Sequence, residues 1–274
     1  MPISSARLRG MTHHQEHVGQ VLKEWRARRR LSQLDLASDA EISARHLSFV
    51  ESGRSSPSRE MLARLAEQLS MPARAANRLM LAAGYAPIHS ERSLDAPDMT
   101  AVRKAVETVV QGHMPFPALA VDRHWNLVLA NDAIKSLLAG ISEDLLHPPL
   151  NVLRLSLHPD GLSSRIVNLA EWRHHLLDRL RRQVEETGDE TLSRLHAELS
   201  AYSAPAAPRH SAGADPLAIP LELRDPLSGG VLRFISTTTV FGTATDVTLS
   251  ELVLECFYPA DAETRAALMN GTKE

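Results

Sequence analysis

The sequence predicts an α+β protein of two domains: an all-α bundle of five helices, then an antiparallel sheet carrying helices. Three observations lead there. From residue 17 to Gly84, apolar side chains recur three and four apart, the rhythm of helices that bury one face. From Pro115 onward, short aliphatic runs are punctuated by Asp, Asn and Gly, with two long helical stretches between the early runs and the late ones. Charge divides where the two patterns meet. Residues 1–90 hold 13 Lys+Arg against 8 Asp+Glu, and residues 91–274 hold 17 against 25, although the whole chain carries only −3. A basic head on an acidic body fits a nucleic-acid module joined to a module with a different job.

The head is expected at 17–84, after a flexible basic arm at 1–16. His13 and His17 are spaced i,i+4, but no third ligand accompanies them and no metal site is expected. Helix one covers about 17–30, with Val18, Val21, Leu22 and Trp25 at core spacing. Arg28, Arg29 and Arg30 complement the dipole at its end, either as solvated cations or as phosphate contacts. Ser32 caps helix two, whose Leu36 and Ala37 point inward. Glu41 falls at a tight corner, where a left-handed residue other than glycine costs about 1 kcal/mol unless the turn takes another geometry. Ser43 caps helix three, and Leu47 and Val50 share its buried face. Ala44, Arg45, Ser48, Phe49 and Ser52 are left on the outer face, which suits a DNA major groove: small and apolar groups meet thymine methyls and Arg bridges guanine acceptors. Phe49 is either such a methyl contact or part of a protein interface. Leu62, Leu65, Ala66 and Leu69 define helix four, about 58–69. Pro72 suits the first turn of helix five, which Gly84 stops.

A linker is expected at 85–104, the second domain at 105–265 and a tail at 266–274. A short helix near Val102–Val110 precedes strands at 118–122 and 125–131, set about the turn Asp122-Arg123-His124. A helix at 132–138 follows, then long helices at 171–186 and 191–202 broken by Gly188-Asp189, and a surface loop at 203–215. Three closing strands are placed at 217–224, 231–241 and 248–258, with turns at Gly229-Gly230 and across 242–246. Strands, helices and an antiparallel run make a sheet covered by helices.

Composition narrows the function. Apolar content of 43% can bury real cores, but aromatics at 4% leave packing to Leu, Val, Ile and Ala. A single cysteine, Cys256, excludes an intramolecular disulfide framework and a cysteine metal cluster. No apolar run is long enough to span a bilayer, and the N-terminus shows no secretory core, so a soluble cytoplasmic protein is expected. No phosphate loop, His-Glu-x-x-His or nucleophile elbow is present. His174 and His175 are adjacent and face different ways on a helix. Cys256 reads as a small buried hydrophobe. Neither an enzyme nor a bound cofactor is expected.

Two resemblances sharpen this. Leu31-Ser32-Gln33, Leu36-Ala37, Ile42-Ser43, Glu51-Ser52-Gly53-Arg54 and Pro57-Ser58 closely resemble the XRE family, the lambda-repressor-like helix-turn-helix. That resemblance implies that Arg26 pairs with Glu51 to tie helix one to the recognition helix. It makes Ala44, Arg45 and Phe49 the main base-reading residues, supported by Ser43, His46 and Ser48. Gln33, Arg54 and Ser55 would meet phosphate, and Arg59 would reach toward the minor groove. Glu41 departs from the family, which usually has Gly there.

Further on, Phe116-Pro117-Ala118, Asp122-Arg123-His124-Trp125 with Asn131, Asn151, Phe241-Gly242-Thr243 with Asp246, and Phe257-Tyr258-Pro259-Ala260-Asp261 resemble the MmyB-like ligand-binding domain, a PAS-type sensor. The resemblance implies a small ligand held between sheet and helices, fatty-acid-like in some relatives. The strands are apolar on both faces and supply few charges, so an apolar ligand is easier to house than a charged one. Trp125, Trp172, Phe234, Phe241 and Phe257 are candidate lining residues, each equally able to be plain core. Asn131 either bonds a ligand or caps the next helix, and capping is the preferred reading. Ala130 stands where the family often has an aromatic. Together these imply a transcriptional regulator that binds a pseudo-palindromic double-stranded DNA operator as a homodimer, responds to a small apolar ligand, possible fatty acids included, and has no membrane partner. The alternative is a protein-interaction adaptor that keeps the helix-turn-helix fold and uses the second domain for assembly.

Overall fold

A computed structural model describes residues 17–203, 219–226, 228–241 and 246–270. The expected arm at 1–16, most of the loop at 203–215, the turn at 242–245 and the last four residues of the tail lie outside the described residues. The chain forms two compact units, Met1–His89 and Ser90–Glu274.

The first unit is the five-helix bundle: α1 (Val18–Arg28), α2 (Gln33–Asp39), α3 (Ala44–Glu51), α4 (Arg59–Gln68) and α5 (Ala73–Ala82). His17 opens α1 by accepting the Gly19 N–H at 3.1 Å on Nδ1. Ser58 caps α4 through the Met61 N–H, while Pro72 sits at the N-cap of α5, just before its first turn. Leu22, Leu36, Leu47, Val50, Leu62, Leu65, Leu69, Leu79 and Met80 are fully buried and make one core. Of the three arginines ending α1, Arg29 is tied into the bundle. Its guanidinium donates to the carbonyls of Leu69 (2.8 Å) and Ser70 (2.9 Å) at the end of α4. Asn77, buried in α5, accepts the N–H groups of Ile88 and His89 on Oδ1 and donates to the His89 carbonyl. Three bonds from one amide thus hold the chain beyond the bundle.

The second unit begins with a 3-10 turn, Pro97–Met99, that runs into α6 (Thr100–Gly112). Then come β1 (Ala118–Val121), β2 (Leu127–Ala130), α7 (Asp132–Leu137), α8 (Glu143–Leu146), α9 (Val152–Leu157), α10 (Leu169–Thr187) and α11 (Glu190–Ala201). Gly188 sits at φ +64° between α10 and α11, a conformation that favours glycine. The chain closes with β3 (Leu221–Arg224), β4 (Val231–Val240), α12 (Val247–Ser250), β5 (Val253–Pro259) and α13 (Ala262–Asn270). All five strands pair antiparallel in the order β2-β1-β5-β4-β3.

Alternation along the central strands builds two different faces. On β1, Leu119 and Val121 join Phe257, Phe234 and Leu232 in a large core shared with α9, α10 and α11. Ala118 and Ala120 face the other way with Leu254 and Cys256, where Val106 and Val110 of α6 cover them. Small residues on that side let one helix lie close, and the strand is buried on both faces.

Several expectations differ from what forms. The last residues of the linker expected at 85–104 belong to the 3-10 turn and to α6, which starts at Thr100, and β3 starts at Leu221. The last strand does not begin at 248, because Asp246 accepts the Thr248 N–H at 2.9 Å and caps α12, postponing the strand to Val253. Trp125 does not belong to a strand: it sits in the turn at φ +68°, and β2 starts at Leu127. Residues 266–270, read as tail, continue α13. Among the described residues no helix is long and apolar enough to cross a membrane.

At Gly19 α1 approaches the end of α3 closely. A Cβ there would lie 2.5 Å from the carbonyl oxygens of both Val50 and Glu51, the last residues of α3. Backbone cannot yield as a side-chain tip can, so Gly19→Ala is expected to destabilise the head by roughly 1–3 kcal/mol. Hydrogen exchange of the α1 and α3 amides should show the loss, while the amides of β1 and β5 keep their protection.

Candidate nucleic-acid interface and ligand layer

The corner between α2 and α3 is built by local hydrogen bonds. Ser32 and Asp35 form a reciprocal capping box: Ser32 Oγ accepts the Asp35 N–H at 3.1 Å, and Asp35 Oδ2 accepts the Ser32 N–H at 3.0 Å. Ser43 caps α3 through the His46 N–H at 3.1 Å. Glu41 does take the left-handed conformation, φ +54°, and the Ile42 N–H closes the corner on the Ala37 carbonyl at 2.9 Å. Leu47 and Val50 are buried; Arg45, His46 and Ser52 are exposed, and Ala44, Ser48 and Phe49 are half-buried. Phe49 is therefore less exposed than its position implied, and Arg45 lies over it with Cζ 5.4 Å from the ring centroid. The loop folds back after α3: the Arg54 and Ser55 N–H groups both donate to the Phe49 carbonyl, at 2.7 and 3.2 Å. Ser55 Oγ lies 3.5 Å from His46 Nε2.

One ionic group holds α3 to the bundle. Arg26 donates through Nε and Nη2 to the two oxygens of Glu51 (2.7 and 2.9 Å) and through Nη1 to the Leu31 carbonyl (3.0 Å). Gln33 Nε2 adds a third bond to Glu51, at 2.7 Å. Burial works to raise the Glu51 pKa, but the bonds from Arg26 and Gln33 outweigh it and hold the carboxyl below its ordinary value. The Arg26–Glu51 pair stands as the resemblance implied. Gln33 spends one of its two amide N–H donors on Glu51. Arg59 also has a partner inside the head, donating to the Ala86 carbonyl at 3.1 Å. Arg54 is exposed in the loop.

In the second unit, Trp125, Trp172, Phe234 and Phe257 belong to one core cluster between sheet and helices. Phe234 and Phe257 stand edge to face at 6.2 Å. Trp172 donates to Ser156 Oγ (3.0 Å) and Trp125 to Gln183 Oε1 (2.8 Å). Phe241 is not with them; it packs on the α6 side of the sheet. Asn131 is fully buried and makes no capping bond, contrary to the preferred reading. Its Oδ1 accepts the Ala118 N–H, and its Nδ2 donates to the carbonyls of Val110 and Phe116. It ties β1 to the end of α6 and to the segment before β1.

Sequence reasoning missed a charged cluster on the helix-covered face. Glu255 lies between Val253 and Phe257 on the inward side of β5 and is buried. Arg179 of α10 reaches it at 2.5 Å, bonds Thr238 Oγ1 at 3.0 Å and stacks over Trp125 at 4.5 Å. Burial, reinforced by Arg179 and Arg182, lowers the pKa of neighbouring His175. The available signal was an acidic residue at an inward position of a period-two strand.

Residues 102–270, more than half of the chain, match the family described as MmyB-like transcription regulator ligand binding domain. The chain belongs to that family. Residues 22–74 of this MmyB-like protein match the helix-turn-helix family. The two matches make it a DNA-binding transcription regulator with a ligand-binding domain. Among solved structures, it is similar to the clp gene regulator ClgR from Corynebacterium glutamicum, at 27% identity over 37% of this chain and 94% of that one, TM-score 0.22. It is also similar to an RNA-binding light-oxygen-voltage receptor, at 12% identity over 93% of this chain and 63% of that one, TM-score 0.27. No curated protein matches the chain.

Within the ligand-binding domain, Arg154 of α9 grips both oxygens of Glu198 on α11 (2.6 and 2.8 Å), and Tyr202 donates to Glu198 at 2.6 Å. Above all the Arg154 bonds hold Glu198 down from its ordinary 4.5 to about 2. The folded value is the lower one, so the clamp contributes stability above about pH 4.5 and loses it as pH falls toward 2. Glu198→Gln should flatten the acid limb of the domain's urea midpoint between those values; an unchanged acid limb would assign it elsewhere.

Proposed function

We propose that this regulator binds a pseudo-palindromic duplex as a homodimer through α3, and that a small apolar molecule of fatty-acid type, taken up by the second unit, changes its DNA affinity. The observation that carries the DNA half is α3 itself. Its inner side is fixed by Leu47, Val50 and the Arg26–Glu51–Gln33 group, while Arg45 and Ser52 remain exposed and Ala44, Ser48 and Phe49 half-exposed. In this reading Ala44, Arg45 and Phe49 meet base edges, with Ser43, His46 and Ser48 beside them. Arg54 and Ser55 meet phosphate, as does the N-terminus of α2 at Gln33; Arg59 reaches toward the minor groove once released from Ala86. One head reads only a short half-site, which favours two copies related by a two-fold axis.

The ligand half rests on the apolar layer of Trp125, Trp172, Phe234 and Phe257, set between sheet and helices in a family named for ligand binding. A ligand acts on DNA affinity only by favouring one of two arrangements of the dimer.

Two measurements test the halves separately. Binding of the full chain to duplex DNA should weaken with salt, log K falling by about 0.9 per phosphate neutralised for each unit of log salt. Arg45→Ala should weaken the preferred site by roughly 1–3 kcal/mol and leave nonspecific binding in place. Salt-independent binding, or equal binding by parent and variant across sequences, contradicts the DNA half. For the ligand half, dodecanoate should raise the melting temperature of the parent, by the equivalent of about 2.7 kcal/mol at one hundred times its dissociation constant. No shift at any concentration contradicts it.

A further inference from the structure

We propose that Arg45 and Phe49 read two neighbouring bases as one unit: a guanine preceded on its own strand by a pyrimidine that carries a C5 methyl. That pyrimidine is thymine, or 5-methylcytosine in a methylated CpG. The inference rests on the DNA-reading role proposed for α3 and goes further by naming the step read.

Arg45 and Phe49 are four residues apart, one turn of α3, and lie on the same face. The guanidinium carbon is 5.4 Å from the ring centroid, within the range of a cation held over an aromatic face. Such a contact consumes no N–H. Arg26, Arg29 and Arg59 direct donors to protein oxygens, whereas Arg45 is oriented by a group that leaves its donor fork available. The preferred partner of that fork in the major groove is the N7 and O6 pair of guanine.

Geometry then places Phe49. A guanidinium bonded to both guanine acceptors lies in the plane of that base. Phe49, with its ring centroid 5.4 Å from the guanidinium carbon, is placed toward a base one step away along a duplex whose rise is about 3.4 Å per base. Phe49 has no hydrogen-bonding group, so only an apolar feature can reward it. In the major groove that feature is the methyl at pyrimidine C5. Placed on the 5′ side of the guanine, as in this proposal, the methyl belongs to the pyrimidine that precedes it on the same strand. Unmodified cytosine offers hydrogen there, while cytosine methylated at C5 offers what thymine offers. His46 is turned toward Ser55. The pair thereby couples base identity to methylation at one position of the site.

The test uses the full chain and selection from a random duplex pool, followed by four duplexes. These carry thymine, deoxyuridine, cytosine or 5-methylcytosine immediately 5′ of the selected guanine. Selection should enrich that pyrimidine–guanine step. Deoxyuridine, which lacks only the methyl, should bind about fourfold more weakly than thymine, the value of one buried methyl group. Cytosine should be weakened at least as much, and 5-methylcytosine should restore the thymine value. Phe49→Ala should make the four duplexes alike while guanine stays preferred, and Arg45→Ala should lose the guanine. The thymine–deoxyuridine comparison uses the parent protein and so holds even where Phe49→Ala fails to fold. Equal binding of the four duplexes by the parent overturns the paired readout and leaves DNA recognition standing. Enrichment of no sequence at all overturns the DNA-reading role and this inference with it.

Discussion

The bond set around Glu51 is the constraint on which the head depends. Helix α3 has eight residues and two buried side chains, too few for a helix to persist by itself in water. Its C-terminal end is held by a carboxylate that receives three N–H bonds, two from Arg26 and one from Gln33. Removing a carboxylate from water is costly, and only a well-formed set of donors offsets the cost. Gly19 completes the arrangement, since the absence of a side chain lets α1 rest directly on the final carbonyls of α3. The outer face of α3 is therefore placed by charge at one end, backbone contact behind, and the Ser43 cap at the other end.

The second unit uses a different principle. Its first strand alternates small and large residues, so that one face supports a thick helical layer and the other accepts α6, with Leu249 of α12 beside it. Two amide side chains inside it join segments of the chain. Asn131 satisfies three backbone groups, and Gln183 links the indole of Trp125 to the Arg123 carbonyl. A buried polar group that meets all its partners specifies one arrangement of the segments around it. The Arg179–Glu255 pair adds charge to that layer and makes it uneven in polarity along its length.

Much of this was legible in the sequence, for reasons that differ by element. Helical spacing and capping residues revealed the five-helix head because both are local signals: Ser32, Ser43 and Ser58 each sit next to the helix they cap. The Arg26–Glu51 pair, 25 residues apart, was legible only through family resemblance. The bond from Gln33 to Glu51 was not, because a polar side chain at a helix start does not name its partner and only the fold brings Glu51 to it. In the second unit, period two located β1 and β4, but the start of β5 was misjudged because Thr248, Leu249 and Val253 all suit a strand. The Asp246 cap wins over that propensity. Asn131 was misread for a related reason: its place before a helix signals a cap, whereas its partners lie in α6 and β1. Phe241 shows the limit of counting aromatics, since residue type does not say which face of a sheet a strand end reaches.

The lone cysteine has a practical consequence. Cys256 is buried beneath α6, and desolvation pushes its thiol pKa upward, so it reacts slowly with thiol reagents while the fold is intact. The native protein thus behaves as though it had no cysteine. A single new cysteine at an exposed point would be the dominant target for a fluorophore or spin label, and each copy in an assembly would carry its tag at one known place. Distances between copies, with and without DNA, can then be read without first engineering the background.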